Sequence, residues 1–551
     1  MQQTDIANSD EGHDGIEVES TLRGFIVARH RDIPKEHLLT WIDNMKSHVV
    51  ELVDGGDDSC IEAACACSGS AIWKHGNYDL LKYWKSEFAL DPKVEYRHAW
   101  CCEIDVDKQA FIASQHDVPK IFKDVKALTS EDDRGSSFCV LKQDKVFVDW
   151  VKEFASGFSC KPFSKQNIHA SSGSANFLAG VGETARTYEG TRDWILKTRP
   201  LVSYLENVKE LVKAVPGEQE VCLTVQETSK IKAEFETHYF TVIFALEDPL
   251  QRGSLCARER VFPIVIDLPV TISEELDLEK RFKLFSNALT TDKMFDFETF
   301  QLEPDILSKW CAPLAHGSDR GPPKKAAKLD DKWPDIHEAM FSYADVSWPP
   351  AISHLSQFRR REAECVVFAS AKWPPAEVNC WEFFDANHTA KRLFHWPLSV
   401  LKKTGEFSKL TSPWRRHAPT FTALSVMVKR VQRSDGSIEL QRIHPLECFR
   451  MMGWDMQMWK DGESPFKTQC VGNVQRCIDS DVLMDLCGNA WCLWSFVSIK
   501  IALAGAINWT EAVRLRSAFR ALPPTVKRLA EGADGASSEE AESSIARSES
   551  D

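Results

Sequence analysis

Cys60-Ile61-Glu62-Ala63-Ala64-Cys65-Ala66-Cys67-Ser68-Gly69-Ser70 opens the organised part of the chain, and its reading decides the fold. Small and apolar side chains run into a Ser-Gly-Ser turn, and helical periodicity follows over residues 78–88. Strand, tight turn, helix is the first half of a parallel βαβ unit. Small residues let a backbone approach a ligand closely, and the next helix N-terminus attracts negative charge; the stretch also reads as a tight turn with no ligand. A second apolar strand, Ala99-Trp100-Cys101-Cys102-Glu103-Ile104-Asp105, precedes a helix over residues 108–114. An acid ending the second strand of a doubly wound sheet can accept hydrogen bonds from ribose hydroxyls. Glu103 suits that position, whereas Asp105 reads as a helix N-cap. Residues 121–125 form a short third strand, and its acid, Asp124, can meet an adenine amino group. The apolar run over residues 146–151 reads as a buried fourth strand. It delivers Cys160 into the loop Gly157-Phe158-Ser159-Cys160-Lys161-Pro162-Phe163-Ser164. A thiolate held on such a loop is a candidate nucleophile; a packed structural cysteine is the competing reading. Strand and helix alternating at this spacing predict an α/β fold, a parallel sheet with helices on both faces and ligands at the strands' carboxyl ends.

The chain has 551 residues, 43% of them apolar, enough for a substantial core. Its net charge of −14 argues at first against nucleic acid, but residues 1–20 and 531–551 each carry −6, leaving the body near −2. Both acidic tails are expected to be disordered. Seventeen cysteines without one Cys-x-x-Cys pair argue against a zinc ribbon and a disulfide framework. No metal is expected, and Cys65, Cys67 and Cys102 read as packing residues. With no signal peptide at the start, a reducing compartment is expected. Residues 38–52 have amphipathic helical periodicity. Residues 490–507 are apolar, yet Lys500 and two serines interrupt them, so a core helix is expected rather than a membrane span.

Downstream, Glu206-Asn207-Val208 follows an apolar strand from Leu201, and Cys256-Ala257-Arg258-Glu259-Arg260 precedes another apolar strand. Arg442-Ile443-His444-Pro445-Leu446-Glu447-Cys448-Phe449-Arg450-Met451-Met452-Gly453-Trp454 and then Gln469-Cys470-Val471-Gly472-Asn473 close the series. In this order the segments resemble the DNA (cytosine-5)-methyltransferase family, whose nucleophile loop reads Pro-Cys-Gln-x-Phe-Ser. The chain departs from that pattern in places. Ser159 stands for the proline, Lys161 for the glutamine, Cys65, Cys67 and Ser70 for an aromatic residue and two glycines, and Cys256 for a glutamine.

The resemblance implies a Rossmann-like, S-adenosylmethionine-dependent methyltransferase sheet and a smaller, irregular target recognition domain. Carbon 5 of cytosine is a poor nucleophile; adding a thiolate at carbon 6 makes it enamine-like and able to take a methyl group. Cys160 is the implied nucleophile, and Glu206 holds N3 and the exocyclic amine. Arg258 and Arg260 position the base and the loop. Cys65, Ser68, Gly69, Ser70, Glu103, Ile104, Asp124, Val125 and Asn473 are the implied cofactor contacts. Lys161, Ser164, Arg415 and Arg416 are the implied nucleic-acid contacts. A cytosine inside a duplex has to be flipped out to be reached. Residue by residue, other readings stay open: Glu206-Asn207 as a helix cap, and Arg258 and Arg260 as one exposed strand face.

The expected organisation is an acidic tail at 1–25, a catalytic lobe from 57–270 and 435–495, and a recognition domain at 271–434. A helical segment at 496–530 and a second tail at 531–551 complete it. Residues 401–460 carry a net +6, which suits phosphates. The basic run Gly321-Pro322-Pro323-Lys324-Lys325-Ala326-Ala327-Lys328 has the character of a nuclear import signal. Double-stranded DNA is the expected partner and the nucleus the expected compartment, with no membrane. Two alternatives are cytosine-5 methylation of RNA and DNA binding without catalysis.

Overall fold

The computed structural model describes residues 33–53, 59–300, 393–396, 426–432, 438–454 and 468–523, with interruptions inside these ranges that include 161–176 and 213–225. A ten-stranded mixed sheet carries the fold. In chain order its strands are β1 (Cys60–Ala66), β2 (Glu95–Cys102), β3 (Ile121–Phe122), β4 (Ser136–Cys139), β5 (Asp144–Phe147), β6 (Glu153–Ser156), β7 (Val202–Leu205), β8 (Asn207–Val208), β9 (Thr241–Glu247) and β10 (Arg260–Ile266). In space the principal strands run β3-β2-β1-β6-β7-β10, and β9 pairs with the far side of β10. All neighbours from β3 to β7 are parallel, while β10 is antiparallel to both β7 and β9. From β3 to β9 the sheet is therefore parallel with one reversed strand inserted between its last two members, and β4 is antiparallel at the opposite edge.

Helices cover both faces. They are α1 (Lys35–Leu52), α2 (Trp73–Phe88), α3 (Val106–Gln115), α4 (Gly182–Thr198), α5 (Gln226–Glu236), α6 (Val270–Glu275), α7 (Leu278–Ala288), α8 (Pro445–Met451), α9 (Ser480–Asn489), α10 (Leu493–Ala504) and α11 (Trp509–Ala521). β6 and β7 are buried along their whole length and β1 almost so, as strands covered on both faces must be. One face packs Trp41, Trp84, Tyr204 and Phe496; the other packs Trp100, Phe154, Tyr188 and Trp194. Asp105 caps α3 by accepting from the amides of Asp107 and Lys108.

One element differs from the sequence expectation. Residues 146–151 do not form the fourth parallel strand. Their first part belongs to β5, an antiparallel edge strand, and Phe147 and Trp150 are 52% and 63% exposed. The strand leading to Cys160 is β6, whose Glu153 disguises it as polar. Glu153 is buried because Lys500 of α10 pairs with it, and Tyr96 and Asn77 complete the network. An apolar run signals a central strand only where both faces are covered, and at this sheet edge Val148 and Val151 are buried while their neighbours are not.

Every residue of α10 is buried. The helix is long and apolar enough to span a membrane when counted from Val482 to Ala504, and 78% of that window is packed inside the protein. Helices outside the spans 57–270 and 435–495 join the same core. Asn44 Nδ2 of α1 donates to Gly505 O at 3.0 Å, and the amide of Trp509 donates to Ser47 Oγ at 2.8 Å. A side chain at Gly505 would occupy the space of the Trp41 ring. Arg516 and Arg520 of α11 share the buried Asp267 carboxylate with Arg199, which fixes α11 to the end of β10. Beyond the main sheet, β11 (Leu393–Trp396), β12 (Val426–Gln432) and β13 (Ile438–Arg442) form an antiparallel sheet. The hairpin of β14 (Thr468–Val471) and β15 (Val474–Cys477) lies against α3.

Candidate active site

The loop that carries Cys160 leaves the carboxyl end of β6, at the centre of the sheet, where loops gather in open α/β folds. Phe158 anchors it, packing on Phe177 and Tyr188 with ring centroids at 6.4 and 5.4 Å. The amide of Ser159 donates to Thr187 Oγ1 at 3.1 Å. A proline there would have no N–H, so Thr187 answers the donor that Ser159 introduces. Asn207, fully buried, donates from Nδ2 to Phe158 O at 3.1 Å and ties the next strand end to the loop. It is not a helix cap.

Glu206 sits between β7 and β8, which both pair with β10. Its amide donates to Ser156 O at 2.9 Å, fixing it beside the loop. Its Oε1 lies 2.8 Å from Arg260 Nε. Arg260 opens β10 and so faces the strand that presents Glu206. Arg258 is buried and donates to Gly488 O at 2.8 Å, so it is no exposed face. Burial, then the neighbouring Arg260, pulls its guanidinium below the ordinary arginine value. Half-buried Cys160 senses all three groups. Burial pushes its thiol up, Glu206 pushes it further, and Arg260 and Arg258 pull it back. Gly157 marks the closest packing in the site. A β-carbon there would lie 3.0 Å from Trp491 Nε1 and 3.6 Å from both Cys67 O and Glu206 Oε2.

The turn after β1 is held from β2. Glu103 accepts from the Gly69 amide at 2.8 Å and from the Asp105 amide at 3.0 Å. Its carboxyl is raised above the usual range, chiefly by burial. Gly69 (φ +53°) and Cys67 (φ +49°) are left-handed, and only the first has the residue this conformation favours. Next to Glu103, Ile104 is 61% exposed at the strand's carboxyl end. An apolar surface beside a buried acid fits the flat base and ribose of a nucleoside cofactor, so these residues suit the implied S-adenosylmethionine. Asp124 caps the following 3-10 turn through the Lys126 amide and pairs with Arg186. Val125 is buried beneath it. Ser68 Oγ donates to Cys102 O, and Ser70 is buried with its carbonyl 2.8 Å from His116 Nε2. Cys65 buries its sulfur beneath the turn, 3.4 Å from Cys101 Sγ and 2.6 Å from Ser68 Oγ.

The structure thus brings Cys160, Glu206, Arg258 and Arg260 together. It gathers Ser68, Gly69, Ser70, Glu103, Ile104, Asp124 and Val125 along the ends of β1 to β3. Lys161, Ser164, Arg415, Arg416 and Asn473 lie outside the described residues. Three contributors went unread in the sequence. Asn207 reads there only as part of a helix cap, whereas Thr187 and Trp491 carry no local signal.

A mostly parallel sheet with a reversed strand between β7 and β9, a turn clamped by an acid on β2 and a loop leaving the carboxyl end of β6 define a Rossmann-like, doubly wound α/β fold. In sequence the chain is similar to DNA (cytosine-5-)-methyltransferase DMT5 of Cryptococcus neoformans, with 28% identity over 176 residues. That match spans 31% of this chain and only 7% of the relative. No family model matches the chain. Among solved structures, the Entamoeba histolytica methyltransferase EhMeth aligns over 80% of this chain and 97% of its own at 8% identity and a TM-score of 0.40. The S. pombe Dnmt2 methyltransferase aligns over 80% and 97% at 11% identity and a TM-score of 0.35.

Proposed function

We propose that this protein transfers the methyl group of S-adenosylmethionine to carbon 5 of cytosine in DNA through a covalent Cys160 adduct. The convergence of Cys160, Glu206, Arg258 and Arg260 at the end of β6 carries the reading. The thiol is raised by burial and by the Glu206 charge. Net transfer of its proton to Glu206 removes that charge, creates the thiolate and gives Glu206 a proton to present to N3. Sulfur then bonds to carbon 6, the carbon 5–carbon 6 double bond opens, and N3 takes the proton. Arg260 holds the Glu206 carboxyl in place throughout. Gly69, Glu103 and Ile104 would hold the cofactor, which supplies an electrophilic sulfonium methyl. In the elimination that follows, a base supplied from solvent takes the carbon 5 proton, the carbon 6–sulfur bond breaks to release the Cys160 thiolate, and N3 returns its proton to Glu206. A nuclear site of action, through the basic run at 321–328, belongs to the same proposal.

The test is adduct trapping. Protein, S-adenosylmethionine and a duplex containing 5-fluorocytosine should give a denaturation-resistant complex, because fluorine cannot leave carbon 5 as a proton does. The complex should vanish in Cys160→Ala. An adduct with transfer RNA but not DNA would replace the substrate. DNA binding without any adduct would replace the enzyme by a binding protein.

A further inference from the structure

Below the turn after β1, the two adjacent strands bring two sulfurs and an imidazole to one point. Cys65 and Cys101 are direct partners in the parallel ladder, and their sulfurs lie 3.4 Å apart. His98 Nε2 is 3.2 Å from Cys101 Sγ and 3.9 Å from Cys65 Sγ. Cys65, Cys101 and His98 are only 1%, 0% and 4% exposed. Strand alternation would put His98, three residues before Cys101, on the opposite face. A bulge reverses this. Ala63 pairs with His98 and Ala64 with Trp100, so Ala99 is an extra residue in β2. The shift returns His98 to the face of the two sulfurs, as bulges re-aim side chains elsewhere. Among the described residues, these three donors form a group whose ligand atoms all lie within 4.8 Å of one another.

We propose that Cys65, His98 and Cys101 form a structural zinc site that staples β1 to β2 beneath the turn. The point equidistant from the three donor atoms lies about 2.0 Å from each. An ion displaced by about 1 Å from their plane reaches ~2.3 Å, the ordinary zinc–sulfur length. Charge selects the ion: two thiolates and a neutral imidazole cancel a divalent cation, and a dry core favours zero net charge. A monovalent ion leaves a buried negative charge. Zinc binds cysteine as thiolate, so loading the site releases the thiol protons. His98 Nε2 lies 2.8 Å from Trp100 O. With Nε2 on the ion, the imidazole proton resides on Nδ1, and the carbonyl becomes an oxygen neighbour of the fourth position. Ser68 Oγ, 2.6 Å from Cys65 Sγ, is the other oxygen at hand. This site departs from the sequence reading, in which Cys65 packs or meets the cofactor and no metal is expected.

The full chain, expressed with supplementary zinc and purified without chelator, should hold about one zinc per molecule by elemental analysis. Cys101→Ala and His98→Ala should each reduce the bound zinc to background. Cys102→Ala, whose side chain packs in the opposite core, should keep it. Should a variant fail to fold, wild type reloaded with cobalt gives a second readout, thiolate-to-cobalt charge-transfer bands in the near ultraviolet. Metal-free wild type lacking those bands after reloading overturns the proposal. So does zinc retained by a folded Cys101→Ala, or a Cys65–Cys101 disulfide in the peptide map. None of these measurements involves methyl transfer, so the outcome is independent of the proposed reaction.

Discussion

Gly157→Ala places a methyl group where the site is tightest. The backbone of Gly157 lies outside the left-handed region, so alanine meets no conformational obstacle and the effect is steric. The new carbon would sit 3.0 Å from Trp491 Nε1, against about 3.5–4.0 Å for an ordinary contact. The indole cannot simply swing aside. Phe262 and Phe496 hold it edge-on, with centroids at 5.5 and 5.4 Å. Overpacking of this kind costs about 1–3 kcal/mol, and one methyl with one hard contact belongs near the lower end. The rest of the strain should displace the loop that carries Cys160 by a few tenths of an ångström. Since a 1 Å misplacement costs about a hundredfold, adduct formation should slow about three- to tenfold. Urea unfolding and the rate of 5-fluorocytosine trapping measure the two effects. Trp491→Phe opens the contact, so the double variant should recover about 1 kcal/mol relative to additivity. A Gly157→Ala protein unchanged in both assays, or two substitutions that merely add, would refute the packing argument.

Lys500→Met strands the buried Glu153 carboxylate and should destabilise the fold by about 3–5 kcal/mol in denaturant titrations, most of it recovered by adding Glu153→Met. Thr187→Val removes the acceptor of the Ser159 amide and should cost about 1–2 kcal/mol while slowing adduct formation; unchanged trapping would show that the loop does not depend on that bond. Burial, then the Lys500 charge, holds His48 at about 3 in the folded protein. The unfolded chain binds that proton near pH 6.5, so stability should be full above that pH and fall by up to ~1.4 kcal/mol per pH unit on acidification towards 3. His48→Phe should remove this component of the slope, and an identical pH profile would count against the assignment.

Much of the sheet was legible because its signals are local. A small-residue strand, a turn and a capped helix announce themselves in a few consecutive residues, as do Asp105 and its helix. Which loops meet was legible only through the family resemblance in the order of Glu103, Cys160, Glu206 and Arg260, and the sheet gathers the strand ends that carry them. What stayed hidden depends on partners far away in sequence. β6 reads as unremarkable until Lys500 neutralises Glu153. The Ala99 bulge leaves no compositional trace, because it is a matter of register between two strands. Trp491 reaches Gly157 across the fold, and Thr187 compensates Ser159 from another helix. Residues 146–151 misled for the complementary reason: they are apolar, yet they close an edge strand, where Val148 and Val151 are buried and Phe147 and Trp150 stay exposed.

The Glu153–Lys500 pair also orders events during synthesis. A ribosome finishes the strand that presents Cys160 hundreds of residues before it makes the lysine that lets this strand be buried. Until then β6 carries an uncompensated acid in the middle of the sheet, and neighbouring strands have reason to leave it in water. The Cys160 loop is therefore among the last parts to be locked, and the emerging chain keeps its thiol on a loose strand. A fragment ending at residue 495, after the last recognisable motif, would stop in that state. Supplied with a separate peptide spanning α10 and α11, such a fragment should become whole.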